Sequence, residues 1–395
     1  MAELEIDKSI NMIKYTFRWT GMNTLVEKSK RDPREHFRYR ARYCLLFNLM
    51  NLELLFSFYF CYQGNIGGES FTTFTYIAPC IAISFLGNFK SIFFIIYDEE
   101  VNQLIESLRK LEVNCKNFDE AKDNWMRLYS ESLNTLLKAM NILYWVLMIS
   151  FPFMPLFAMG LKYYKTEELE LRLPFLDFYP FNAYDIRIWP FAYVRQIISD
   201  LTVPILLSGV DYLFYICSTY IRIQFKMLSS DLETLIPSGG FNANLLDDQR
   251  FRAKLVGFVK WHTELINCVE LMELLYSRST LSNFITSAFL ICLTGFNLTI
   301  IDDIPFIITF VSFLIMSLVQ IFVLCYFGDV LSSSSTDVSD AVFNSYWYLA
   351  DVKLRKILLI IQARAQKPCK ITAFGFADVN LRTTTRTCTY RFEPQ

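Results

Sequence analysis

The chain has 395 residues, 53% hydrophobic and 16% aromatic but only 19% charged, with a formal net charge of −1 and a mean hydropathy of +0.29. A soluble protein of this size carries nearer a quarter charged residues and far fewer Phe than the 37 found here, and a balance this close to neutral offers no basic field for nucleic acid. Ten scattered Cys without a CxxC pair, beside two His, provide no zinc-type ligand set, so neither metal nor cofactor is expected.

In chain order, residues 1–42 are polar and basic, with Lys8, Lys14, Arg18, Lys28, Lys30, Arg31, Arg34, Arg38, Arg40 and Arg42. The first apolar run starts near residue 43, too late and too long for a signal sequence, and is expected to insert and stay as an anchor. Six stretches have the length and apolarity of membrane helices: 43–62, 75–97, 139–161, 196–221, 281–301 and 305–327. At 1.5 Å per residue each crosses a hydrocarbon core of about 30 Å, and runs this long exclude a barrel. The loop 63–74 and the turn Asp302-Asp303 hold no Lys or Arg, whereas Arg109, Lys110, Lys116, Lys122 and Arg127 follow the second span. Arg250, Arg252, Lys254 and Lys260 follow the fourth span, and Lys353, Arg355, Lys356 and Lys367 the sixth. Only the loop 162–195 breaks the alternation, its basic residues diluted by acids. The positive-inside rule therefore predicts a cytosolic N-terminus.

Between 222 and 280, helical periodicity flanks a break at Pro237-Ser238-Gly239-Gly240, and Leu255, Val259, His262, Ile266, Val269 and Met272 recur at three- and four-residue spacing. Spans four and five are thus expected to continue into the cytosol as helices. Behind a linker at 332–336, a further cytosolic helix is predicted over 338–365, stopping at Lys367-Pro368. Its stripe of Phe343, Trp347, Ala350, Leu354, Leu358 and Ile361 fits either the chain's own core or a subunit interface. The expected fold is an all-α polytopic membrane protein. It comprises a cytosolic N-terminal segment (1–42), helices one to four with the outer loop 162–195 (43–221) and a cytosolic extension (222–280). Helices five and six (281–327), a cytosolic anchor helix (328–370) and an atypical seventh-helix region (371–395) follow.

Three blocks resemble the insect odorant receptors. The first is Trp261-His262-Thr263-Glu264-Leu265, running on to Tyr276-Ser277 and Leu281-Ser282-Asn283-Phe284. The second is Cys325-Tyr326-Phe327-Gly328-Asp329-Val330-Leu331, with Ser339, Ala341 and Ser345-Tyr346-Trp347-Tyr348 after it. The third runs from Arg355-Lys356-Ile357-Leu358-Leu359 through Arg364-Ala365-Gln366-Lys367-Pro368 to Thr372-Ala373-Phe374. Taken in order they carry a likeness that reaches to about Arg382, closest in flavour to the moth subfamily that includes sex-pheromone receptors. The resemblance implies a seven-helix subunit at the plasma membrane of olfactory neurons, tetrameric with an obligate co-receptor and forming a cation channel gated by a small volatile apolar odorant. It also implies cytosolic subunit contacts, a ligand pocket in the outer half of the membrane among helices two to six, and a pore lined by the seventh helix.

The tail departs from that pattern. A pore helix is expected to start near Ala373 and stay apolar for about 20 residues. From Arg382 onward the chain instead holds three Arg, a Glu and five Thr, too polar to span unaided. It reads as a variant, mis-spliced or frame-shifted end, or as a genuinely shortened receptor, and in either case puts conduction in question.

An odorant pocket needs an apolar, aromatic cavity with one or two polar groups. The outer-half candidates are Ile81, Ser84 and Phe85 on the second span and Phe151, Phe153, Met154 and Phe157 on the third. Leu206, Leu207 and Ser208 follow on the fourth, Thr294 and Phe296 on the fifth, and Thr309, Phe310 and Phe313 on the sixth. Each fits ordinary packing or lipid contact as well. Pro152, Pro155 and Pro204 interrupt helical bonding and can either widen a cavity or simply kink. Glu53, Lys90, Asp200 and Asp211 are intramembrane ionisable groups, costly unless paired or wet. Lys90 is placed to snorkel to the headgroups. Asp211, beside Tyr212, is read as a polar-network or gating residue. Asn297-Leu298-Thr299 matches a glycosylation site at a membrane edge and is expected to go unused.

The rival classes fit less well, the first two lacking the features they require. A metabotropic seven-helix receptor needs an outside N-terminus, a transporter needs inverted repeats, and a non-conducting regulatory subunit fits the odd tail. An enzyme is not expected, since no paired carboxylate, nucleophile elbow, phosphate loop or metal motif stands out.

Overall fold

The computed structural model describes residues 4–22, 32–67, 71–116, 120–175, 179–236, 249–300 and 304–383. In chain order the helices are α1 (Glu5–Thr20), α2 (Pro33–Gly67), α3 (Phe71–Ile96), α4 (Asp98–Lys116) and α5 (Glu120–Thr166). They continue with α6 (Trp189–Glu233), α7 (Gln249–Ile300), α8 (Ile304–Asn344) and α9 (Val352–Ala365). Among the described residues, five carry windows long and apolar enough to cross a membrane, in α2, α3, α6, α7 and α8. The remaining predicted span, 139–161, is the C-terminal part of α5. The helices far outrun a bilayer: α7, with 52 residues, measures about 78 Å.

α6 is the axis of the bundle. Its apolar window is 94% buried, and it packs against α1, α2, α3, α5, α7 and α8. A helix that is apolar all round belongs at a centre, and the run 202–221 meets neighbours on every side. Beyond the predicted spans, α6 and α7 continue together. Leu255, His262, Ile266, Val269 and Met272 are buried, Val259 is exposed, and the Trp261 indole donates to Gln224 Oε1 at 3.1 Å.

Within the polar N-terminal segment, residues 5–20 are more structured than their polarity suggested. Ile6, Ile10, Ile13 and Phe17 line one face of α1 and are buried against the bundle. The Glu112 carboxylate of α4 accepts from the first two α1 amides at 2.7 and 3.0 Å, satisfying donors that a helix start leaves open. Close packing of α1 on α6 depends on Gly209, where an added Cβ would lie 2.9 Å from Thr16 Oγ1.

The predicted linker at 332–336 is corrected: α8 runs through it. Ser334, Ser335 and Thr336 donate back to the Val330, Ser332 and Ser333 carbonyls at 2.7 Å, so their hydroxyls are satisfied without breaking the helix. The chain breaks instead at 345–351, where Asp351 caps α9 by accepting from Lys353 N. This splits the expected stripe. Ala350, Leu354, Leu358 and Ile361 are buried in the chain's own core, while Phe343 and Trp347 stay exposed. The face of α9 left open is Val352, Leu359 and Ile360, the last two 63% and 69% exposed.

A second correction concerns Ala373, where no helix begins. Residues 371–379 form a tight antiparallel turn, with Val379 N donating to Ile371 O and Ala373 N to Ala377 O. Its sharp corner, Phe374-Gly375, has both φ angles positive. Glu273 of α7 accepts from Thr372 N at 2.7 Å and from its hydroxyl, and the turn sits on Gly328 of α8, where any Cβ would collide with the Val379 backbone. The polar tail 384–395 and the 237–240 break lie outside the described residues.

Candidate functional site

Near the end of the bundle that carries the 167–188 connection, a cavity of about 40 Å³ opens between four helices and that connection. Met50, Glu53, Leu54 and Ser57 of α2 face it, with Cys80, Ile81, Ile83 and Ser84 of α3. Ser199, Asp200, Val203 and Pro204 of α6, Phe313 of α8 and Phe175 of the connection complete the wall. Phe310 and Phe313 cluster with Cys80, Ile83, Phe175 and Leu298 to give its apolar side. The space holds roughly three waters, so a larger guest must push the walls apart.

The rim is built from charge. Arg195 Nη1 meets Glu53 Oε2 at 2.5 Å, its Nη2 donates to Tyr179 OH at 2.7 Å, and its guanidinium lies over the Phe56 and Tyr179 rings. Gln196 clamps Phe175 by accepting from its N–H and donating to its carbonyl. One basic side chain thus ties α2, α6 and the connection together. Asp200 differs: its Oδ2 is buried and has no hydrogen-bond partner among the described residues.

Deeper in the bundle lies a second polar group. Lys90 Nζ donates to Asp211 Oδ1 at 2.6 Å with both side chains enclosed, and Gln320 Nε2 donates to Asp211 Oδ2 at 2.8 Å. Gln320 also reaches Asn283 Oδ1 at 3.4 Å, so α3, α6, α7 and α8 share one network. Lys90 does not snorkel. The Asp211 carboxylate, itself held by Gln320, compensates its ammonium inside the protein, which removes the drive to reach headgroups. Tyr212 stands edge-on to Tyr144 with its hydroxyl buried beside this network.

The candidate ligand residues divide. Ile81, Ser84 and Phe313 face the cavity, and Phe310 backs it. Leu206 and Leu207 are core residues, and Thr294 is buried with its hydroxyl on Leu290 O. Ser208 instead lines a smaller cavity of about 20 Å³ between α1, α5 and α6. Phe85, Phe153, Phe157 and Phe296 point outward. Met154 and Thr309 are half-buried, and the Phe151 side chain lies outside those described. Glu53 and Asp200 were legible as costly charges but not as pocket walls, and the share of α2, Phe175 and Gln196 went unread. Asn297 is buried, exchanging hydrogen bonds with Thr75 at 2.8 Å, which leaves its amide no access for a glycan.

The family model described as 7tm odorant receptor matches residues 69–390. Odorant receptor 67c of Drosophila melanogaster is 26% identical over 347 residues, 85% of this chain and 81% of that protein. Odorant receptor 85b of the same fly is 25% identical over 317 residues, 78% of this chain and 79% of that one. The solved insect olfactory receptor OR5 from Machilis hrabei in complex with eugenol shares the fold, with a TM-score of 0.83 at 19% identity over 97% of this chain and 95% of that one.

Proposed function

The chain belongs to the 7tm odorant receptor family, and on that premise we propose that it is the odorant-binding subunit of a heteromeric, ligand-gated cation channel. The family match across most of the chain carries the proposal. The α2–α3–α6–α8 cavity supports it physically, being an apolar pocket with few polar groups, of the kind small ligands use. The solved relative is described as bound to eugenol, so a small aromatic or aliphatic volatile is the matching ligand class for this cavity.

The chain is a multi-pass membrane protein, and in this reading it resides in the plasma membrane with its N-terminus in the cytosol. The distribution of Lys and Arg supports that orientation. The cavity then opens towards the outer leaflet, and α4, the α6–α7 extensions and α9 lie inside the cell. The exposed face of α9 with Phe343 and Trp347 is the surface for a co-receptor subunit.

The test is co-expression with an odorant receptor co-receptor under a panel of volatiles. Odorant-dependent cation current is expected. Binding without current points to a non-conducting regulatory subunit, and absence of both overturns the reading. A tag ahead of Met1 that antibody reaches on intact cells overturns the orientation.

A further inference from the structure

The cavity has more to say about head-group chemistry than about size. Count what it offers a guest. Asp200 presents a buried carboxylate oxygen with no partner among the described residues. Pro204, on the same wall, has no N–H to donate to the Asp200 carbonyl one turn earlier, where any other residue would close the helical bond. Ser57 and Ser84 add hydroxyls. The hydroxyl of Ser199 already donates to Leu49 O, leaving it an acceptor. The cavity's donors are limited to the Ser57 and Ser84 hydroxyls, because the Arg195 guanidinium is engaged by Glu53 and Tyr179.

A carbonyl-bearing ligand, such as an aldehyde or ester, brings only an acceptor, which a serine hydroxyl can meet but which leaves the Asp200 oxygen unanswered. An alcohol brings one donor. A protonated primary amine brings three donors and a positive charge, and charge-assisted hydrogen bonds are about twice as strong as neutral ones.

We propose that this cavity selects a compact primary or secondary amine, held as the ammonium against Asp200. The assignment rests on the odorant-receptor reading above and names its ligand class. The small free volume, about 40 Å³, favours a short aliphatic chain whose carbons lie against Ile81 and Phe313.

The test uses the purified full chain in lipid nanodiscs, with thermal melting as the binding readout. The probes are n-butylamine, 1-butanol and butanal, which share a carbon skeleton and differ only in the head. Butylamine is expected to raise the melting temperature at concentrations about tenfold or more below those at which butanol or butanal act, the ratio a charge-assisted bond supplies. Asp200→Asn removes that preference while leaving the unliganded melting temperature within a few degrees. Ser57→Phe, which fills the cavity from α2, abolishes stabilisation by all three probes. If butanol or butanal stabilises the unaltered chain as well as butylamine, or if butylamine does not stabilise it at all, the amine assignment is overturned, whatever the variants do. The failure is separable: a chain that gives current with esters or alcohols but ignores amines remains an odorant receptor with a different head-group preference.

Discussion

Lys90 and Asp211 allow a sharp energetic test, because their separation and burial fix the signs. At 2.6 Å and an effective dielectric of about 20, their attraction is roughly 6 kcal/mol. Removing each ion from water costs several kcal/mol, so the intact pair comes out near break-even. Breaking it does not. Lys90→Met strands a buried carboxylate with only the Gln320 amide for company, at a cost of about 3–5 kcal/mol. Lys90→Met with Asp211→Leu removes both charges and leaves the neutral Gln320 amide with its longer contact to Asn283 Oδ1, at about 1–3 kcal/mol. The double variant should therefore be more stable than the single. Fluorescence-detected size exclusion after a temperature ramp measures this, with the single variant losing on the order of 5 °C or more. A double variant that melts at or below the single would show that the pair is not the unit holding these helices, and the burial argument would fail.

Four further outcomes follow from the same geometry. Arg195→Leu leaves Glu53 enclosed without its cation and should cost about 3–5 kcal/mol, seen as a lower melting temperature and faster proteolysis within 167–188. Gly328→Val must displace the 371–379 turn; Cys369 reports this, because burial holds its thiol above the usual range and suppresses the reactive thiolate. Maleimide labelling of Cys369 should accelerate several-fold in that variant, and an unchanged rate would mean the turn tolerates the side chain. Leu354→Ala, at a fully buried site, should cost about 2–5 kcal/mol, against about 0.5 kcal/mol or less for exposed Leu359→Ala. Leu359→Asp with Ile360→Asp should then leave folding intact yet abolish co-purification with a co-receptor. Retained co-purification would move the assembly surface elsewhere.

The membrane helices were legible because each is a local signal: about 20 apolar residues in a row need no partner to be recognised. Helix α1 was legible in principle and missed in practice. Ile6, Ile10, Ile13 and Phe17 stand at helical spacing, but the Lys and Arg around them carried more weight. The 332–336 segment was misread because Ser and Thr signal turns when read singly, and only the α8 carbonyls decide where their hydroxyls go. Leu354, Leu358 and Ile361 were rightly seen as one face of a helix, but periodicity cannot say which body covers a face, and here it is the chain's own. The charged residues show the deepest limit. Lys90 and Asp211 are separated by 121 residues, and no spacing rule links them. A lone lysine in a hydrophobic run reads as a snorkelling residue until its counter-ion is brought alongside.

Asp200 and Asp211 were also read separately, yet they share a helix. Their eleven-residue offset is about three turns plus 20°, so both carboxylates lie on nearly one face of α6, about 16.5 Å apart along its axis. One faces the cavity and the other anchors the buried network. Between them Pro204 removes one of the helical hydrogen bonds that join the two segments. If the proline decouples the halves, Asp200→Asn and Lys90→Met should change stability independently, their effects adding within about 0.5 kcal/mol as expected for separate sites. Coupling beyond that would mean α6 transmits strain as one rod. A ligand at Asp200 would then load the Lys90 network directly, and Pro204 would be an ordinary kink. Pro204→Ala should restore such coupling by returning the missing N–H. Should additivity persist in that background, the hydrogen bond at Pro204 is not what separates the two sites, and distance alone accounts for their independence.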